Sequence, residues 1–303
     1  MDSIFTTARE AARECTSLLN PSLVNFAFST CILLGILGSY IPQHYKIIAR
    51  GSSEGISPLF VLLGATGGTC GFVNILILSQ GVLGCCQKGI GGFNCIAASL
   101  GVVQVGMQWT CFAVILLLFL IYFPRASPLA SPATSRNSPP ERAALTVTLL
   151  SVLHFVIVVA CTFYFSLLTS EDTPHTPETI PQPSRQLVAW ANFLGVQAMV
   201  LAGLQYIPQL YTTWTLKHAG SLSIPMMCIQ TPGSFVWAIS LATREGTKWS
   251  SWATFVLTGM LQGALLVMCV VWEMKNKNEG TKDSATVDQD EAERRPLIGN
   301  ETS

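Results

Sequence analysis

The segment Ser39-Tyr40-Ile41-Pro42-Gln43-His44-Tyr45 returns later in the chain as Gln205-Tyr206-Ile207-Pro208-Gln209-Leu210-Tyr211. The ungapped offset that aligns Pro42 with Pro208 also pairs Ile56 with Leu222, Ser57 with Ser223 and Gly67 with Gly233. A shared Pro-Gln dipeptide arises by chance, but register held over about thirty residues marks an internal repeat. The fold must be built from two related units. In each unit Pro-Gln closes an apolar run. Proline lacks an N–H and its ring displaces the carbonyl four residues back, at Gly38 and Leu204, so a helix carrying it inside a membrane bends there. Pro42, Gln43, Pro208 and Gln209 are therefore expected at paired hinges.

Composition says what kind of helices these are. Half the residues are hydrophobic and 11% are charged, against about a quarter charged in soluble domains. A bilayer core requires about twenty apolar residues per helix, and seven stretches approach that length: 23–43, 57–79, 94–123, 144–168, 187–211, 223–243 and 251–272. The expected fold is an all-α membrane protein, with seven transmembrane helices arranged as two parallel three-helix bundles joined by a connector helix. Residues 1–22 form a lumenal N-terminal segment and 23–123 the first repeat. A linker, the connector helix and a lumenal loop occupy 124–186, the second repeat 187–272, and a disordered cytosolic tail 273–303. Three helices per repeat and one connector make both copies enter the membrane in the same direction.

Placing the N-terminus in the lumen puts nine Lys and Arg, beginning with Lys46 and Arg50, on the cytosolic side against six on the other, the sense of the positive-inside rule. Six of the ten cysteines, Cys31, Cys70, Cys111, Cys161, Cys228 and Cys269, fall inside apolar spans and read as small packing residues. The vicinal pair Cys85-Cys86 is the one place where oxidation is to be watched.

The two Tyr-Ile-Pro-Gln motifs each follow an apolar helix and precede a short basic loop, with Gly55-Ile56-Ser57 or Ser221-Leu222-Ser223 before the next span. In this the chain resembles the PQ-loop family, which includes cystinosin-like lysosomal transporters, vacuolar basic amino acid transporters and, more distantly, the SWEETs. The resemblance covers residues 23–272. It implies a two-bundle transporter of lysosomal or vacuolar membranes, with a pseudo-twofold axis along the membrane normal and a binding site near the midplane. Pro42-Gln43 and Pro208-Gln209 would be the hinges. Cystinosin-like members also place a proton-coupling aspartate before a Thr-Gly-Gly turn. Here Leu63–Ala65 before Thr66-Gly67-Gly68, and Ile229–Thr231 before Pro232-Gly233, contain no acid, so that device is not carried over. Some PQ-loop proteins are linked to phospholipid distribution, which gives the alternative function of lipid handling between leaflets.

Ionisable groups inside spans are costly and by default functional, and His154 alone qualifies; it reads equally as a packing residue bonded to a carbonyl. Neutral amides are more numerous. Gln104, Gln108, Gln197 and Gln262 fall near span centres, with Asn74 and Gln230 offset. Amides offer donors and an acceptor suited to a zwitterion, a hydroxyl or a headgroup, so these six are the candidate substrate-binding residues. Their bland role is interhelical bonding, about 0.6 kcal/mol per contact in hydrocarbon. Trp109 and Trp237 are candidate pocket walls. The run Gly64–Gly71 allows close helix approach.

Metal-ligand clusters, a GxSxG elbow and a phosphate-cradling loop are absent from the sequence. No enzyme, cofactor or nucleic-acid partner is expected. Glu293, Leu297 and Ile298 fit an acidic dileucine pattern that sorting adaptors read on cytosolic tails. The function expected is a vacuolar or lysosomal transporter of small solutes, amino acids foremost, working by alternating access. Its partners would be the solute, membrane lipids and a sorting adaptor.

Overall fold

Helix starts and stops follow local chemistry. Ser57 sits in extended conformation ahead of the helix Pro58–Leu78, with Pro58 in the first turn, where a missing N–H costs nothing. Ser184 accepts a hydrogen bond from the Leu187 N–H at the start of the helix Arg185–Leu204, satisfying one orphan donor of the first turn. The computed structural model describes residues 15, 19, 23–87, 91–123, 141–170, 184–242 and 249–293. Their regular structure is helical throughout: α1 (Leu23–Arg50), α2 (Pro58–Leu78), α3 (Gln80–Gln87), α4 (Gly92–Ile121), α5 (Glu141–Ser170), α6 (Arg185–Leu204), α7 (Tyr206–Leu216), α8 (Ile224–Ala242) and α9 (Trp249–Glu293).

Among the described residues, six apolar segments are long enough to cross a membrane, with α6 and α7 together counting as one. The shorter α8, 19 residues interrupted by Pro232, packs against α9 and α1 and completes a seven-helix arrangement. Within the first repeat α4 packs against both α1 and α2. Within the second, α9 packs against α6, α7 and α8. Between repeats the partners cross over, α2 lying on α6 and α1 on α8. The connector α5 covers the α2–α6 seam and reaches α4. A core through both repeats includes Ile47, Val61, Phe119, Leu222 and Leu265. A second, with Cys70, Leu187 and Leu194, joins α2, α5 and α6. Outward-facing Leu149, Leu153 and Val156 of α5 are exposed, as a lipid-facing helix requires.

The structure adds detail to these expectations and corrects that of a disordered tail. α1 runs as one helix through Pro42, and in the second copy a single residue in αR conformation, Gln205, separates α6 from α7. The segment from residue 273 was expected to be disordered, yet α9 continues to Glu293; Lys, Glu, Gln and Ala supply about half of that stretch and no proline interrupts it before Pro296. The polar segment after α2 contains α3. Lastly, Cys85 and Cys86 are oxidised, not to each other but to Cys15 and Cys95. The six cysteines expected as packing residues are free.

Candidate functional site

Each Pro-Gln glutamine reaches across to the other repeat. Gln43 donates from Nε2 to the Ser221 carbonyl at 2.9 Å and accepts at Oε1 from the Ser223 N–H at 2.6 Å. Gln209 donates from Nε2 to the Gly55 carbonyl at 2.8 Å and accepts from the Ser57 N–H at 2.8 Å. The four bonds obey the repeat offset. Ser57 and Ser223 stand immediately before α2 and α8, so each glutamine satisfies a backbone donor at the entrance to the other repeat's second helix. Both amides are buried, Gln43 at 5% exposure and Gln209 at 0%. An unmade bond there would cost about 1–3 kcal/mol.

The two interhelical loops meet directly. The Ser221 N–H donates to the Glu54 carbonyl at 2.6 Å, and its hydroxyl donates to the Ser52 carbonyl. A methyl on Gly55 would stand 2.8 Å from the Gly220 Cα, and one on Gly220 would stand 2.5 Å from the Glu54 carbonyl oxygen. Only glycine permits this approach. Two cations from the first repeat add an asymmetric clamp: Lys46 Nζ donates to the Leu222 carbonyl, and Arg50 Nη1 to the Gly220 carbonyl at 2.8 Å. Because both loops join a first to a second helix and lie on one face, the repeats run in the same direction.

Further into the α1–α8 seam lies a chain of polar side chains. Gln262 Nε2 donates to Gln230 Oε1 at 2.9 Å, and Gln230 Nε2 donates to the Ser39 hydroxyl at 3.0 Å. The Ser39 hydroxyl donates in turn to the Ile36 carbonyl at 2.8 Å. Tyr40 is buried beside this chain and interacts electrostatically with Gln108 and Gln230. The neighbouring Thr231 hydroxyl is buried without a partner among the described residues, an acceptor and donor left over for another molecule. Along this seam Gly35, Gly38 and Gly233 have no atom within 4 Å of where a Cβ would stand. The opposite seam is closed: methyls on Gly67 and Gly71 would meet Leu201 and Ala198 Cβ at 3.1 and 3.8 Å. The small-residue run is therefore the contact between bundles.

Of the six amides expected to bind substrate, Gln108, Gln230 and Gln262 thus come together. Gln104 is spent within the first bundle, donating to the Ser29 carbonyl at 2.6 Å. Asn74 ties α2 to α6 through the Ala191 carbonyl at 2.6 Å. Gln197 is half-buried on α6 and takes no part in the chain. Trp109 stacks between Phe72 and Phe155 and donates to the Thr69 hydroxyl at 3.1 Å; Trp237 stacks on Phe255. His154 Nε2 lies 3.7 Å from Cys70 Sγ, its Nδ1 buried without a partner among the described residues. Ser39, Tyr40 and Thr231 were missed as site residues, although Tyr40 belongs to the repeated Tyr-Ile-Pro-Gln. No group of three metal-ligating side chains occurs among the described residues. Leu297 and Ile298 lie outside the described residues, and Glu293 ends α9.

Fold and site together define an internally duplicated, all-helical integral membrane protein whose repeats are laced by exchanged glutamine contacts around a polar seam. The PQ loop repeat matches residues 24–83 and 190–250, two windows set apart by the same offset as Pro42 and Pro208. The chain belongs to the PQ loop repeat family. It is 31% identical over 284 residues to the uncharacterized protein C4C5.03 of Schizosaccharomyces pombe, an alignment covering 89% of this chain and 88% of that protein.

Proposed function

We propose that the protein transports small solutes, amino acids foremost, across vacuolar or lysosomal membranes by alternating access between its two repeats. The observation that carries this reading is the amide and hydroxyl chain Gln262–Gln230–Ser39, with Tyr40 and Gln108. It lies in the open seam between repeats that the crossed glutamines close at one face. Such a chain matches the ammonium and carboxylate of a zwitterion with neutral donors and acceptors, and the unpartnered Thr231 hydroxyl supplies another contact. With the braced face shut, substrate enters from the opposite face. Breaking the brace while the far side closes would release it, the rocking of one repeat against the other described for parallel-repeat transporters.

The disulfides support the orientation. Cys15, Cys85, Cys86 and Cys95 belong to the N-terminal segment, α3 and the first turn of α4, on the face opposite the brace, and disulfides persist in oxidising compartments. That face is then lumenal, and the brace, Lys46, Arg50 and the C-terminal tail are cytosolic. A cytosolic tail would offer Glu293, Leu297 and Ile298 to sorting adaptors.

Reconstituting the purified protein in liposomes and following labelled amino acids beside a fluorescent phospholipid tests this reading. Saturable amino acid uptake is expected. Phospholipid movement between leaflets without solute uptake would replace it with the lipid-handling alternative, which the absence of acids before Gly67 and Gly233 otherwise favours.

A further inference from the structure

Lys217 is the single non-glycine residue with positive φ among the described residues, at 55°. It caps the C-terminus of α7 in the left-handed conformation. Gly51 stands at the equivalent position of the first repeat with φ 57°, so the site calls for glycine and one copy supplies it. A β-carbon is unfavourable there, and an outlier of this kind points to a role for the side chain. The ammonium of Lys217 lies 6.0 Å from the ring centroid of Trp272, and that of Lys275 lies 5.5 Å from the same ring. Trp214 meets Trp272 edge to face at 6.2 Å and is 63% exposed. Asn276 Nδ2 donates to the Lys217 carbonyl at 3.2 Å, fixing the strained cap to α9.

We propose that Lys217, Lys275, Trp272 and Trp214 form a binding site for the anionic headgroup of a phospholipid in the leaflet on the braced face. The apolar span of α9 ends at Asn278, which puts both lysines at headgroup depth with two indoles beside the acyl chains, the usual station of tryptophan. The cytosolic leaflet carries the anionic lipids and attracts juxtamembrane lysines, so charge and depth agree on the occupant. The site straddles α7 and α9, so an occupant would join the first and third helices of the second repeat. The site lies outside the polar seam and does not depend on what that seam transports; its anionic occupant rests on the cytosolic orientation proposed for the braced face.

Delipidated full-length protein titrated with phosphatidylserine and with phosphatidylcholine, and read by native mass spectrometry, tests the site. Wild type should retain phosphatidylserine in preference. Lys217→Gly with Lys275→Gln should abolish the preference, each lysine accounting for about a fivefold change in affinity. The melting temperature should hold or rise, because glycine suits the cap. Should the double variant lose stability, Lys275→Gln alone, a change on an exposed side chain, must still lower the preference. Equal retention of both lipids by wild type, or an undiminished preference in the folded variants, overturns the proposal.

Discussion

Gln43 and Gln209, equivalent residues of the two repeats, exchange places: each amide is buried in the other repeat's loop and bonded to the backbone before the other repeat's second helix. The Pro-Gln pair thus does two jobs. Proline shapes the helix on which it lies, and glutamine ties that helix to its neighbour in the opposite bundle.

Removing either amide should cost stability in like measure. Gln43→Ala leaves the Ser223 N–H without its partner, and Gln209→Ala does the same to Ser57, so each should lower stability by about 1–3 kcal/mol. The double variant should depart from additivity by about 0.5 kcal/mol or more, because both braces hold one loop junction. Denaturation in detergent reads both quantities. Additive losses would mean that the two braces are independent.

The prolines are proposed hinges, but the helices that carry them differ. Pro208→Leu restores the missing N–H next to the break at Gln205 and should slow transport several-fold at normal protein yield, whereas Pro42→Leu, in an unbroken helix, should slow it less. Initial uptake rates measured beside yield and melting temperature decide this. Equal losses of uptake and yield would assign both prolines to folding.

The polar seam separates binding amides from structural ones. Gln230→Leu should cut amino acid uptake at least tenfold, since it breaks the chain between Gln262 and Ser39 and removes a group beside Tyr40; tenfold corresponds to about 1.4 kcal/mol of binding or transition-state energy. Gln104→Leu should lower stability by about 1 kcal/mol with the apparent KM unchanged. The reverse pattern would move the site into the first bundle.

Much of this architecture was legible because the repeat offset is a property of the sequence. Pairing Pro42 with Pro208 and Ser57 with Ser223 already aligns the residues that form the brace. What the offset cannot show is which copy a side chain serves. Gln43 was expected to act within its own helix, and its partners lie far along the chain. The six amides were legible as polar groups in apolar spans, but depth along a helix does not reveal the face, and the face separates Gln230 from Gln104. The disulfides were partly legible in the vicinal Cys85-Cys86, whose partners depend on folding that brings Cys15 and Cys95 beside them. Helical continuation through residue 293 was missed because charge and polarity were read as disorder, although Glu and Lys are good helix formers and no proline interrupts the segment.

The proposed orientation, which the disulfides support, is open to direct test. In sealed vesicles with the cytosolic face outward, protease should remove a tag at Ser303 and spare one at Met1. Without reduction, Cys15, Cys85, Cys86 and Cys95 should resist thiol reagents after denaturation. A protected C-terminal tag would reverse the orientation.

The central claim is that the braced face opens and closes during transport. Ser52→Cys and Ser221→Cys place thiols where the Ser221 hydroxyl now meets the Ser52 carbonyl, and a short methanethiosulfonate cross-linker can join them across the two loops. Amino acid uptake into proteoliposomes should stop when the link forms and return when mild reductant cuts it, with wild type unaffected by either treatment. Undiminished uptake by the cross-linked protein would contradict the account.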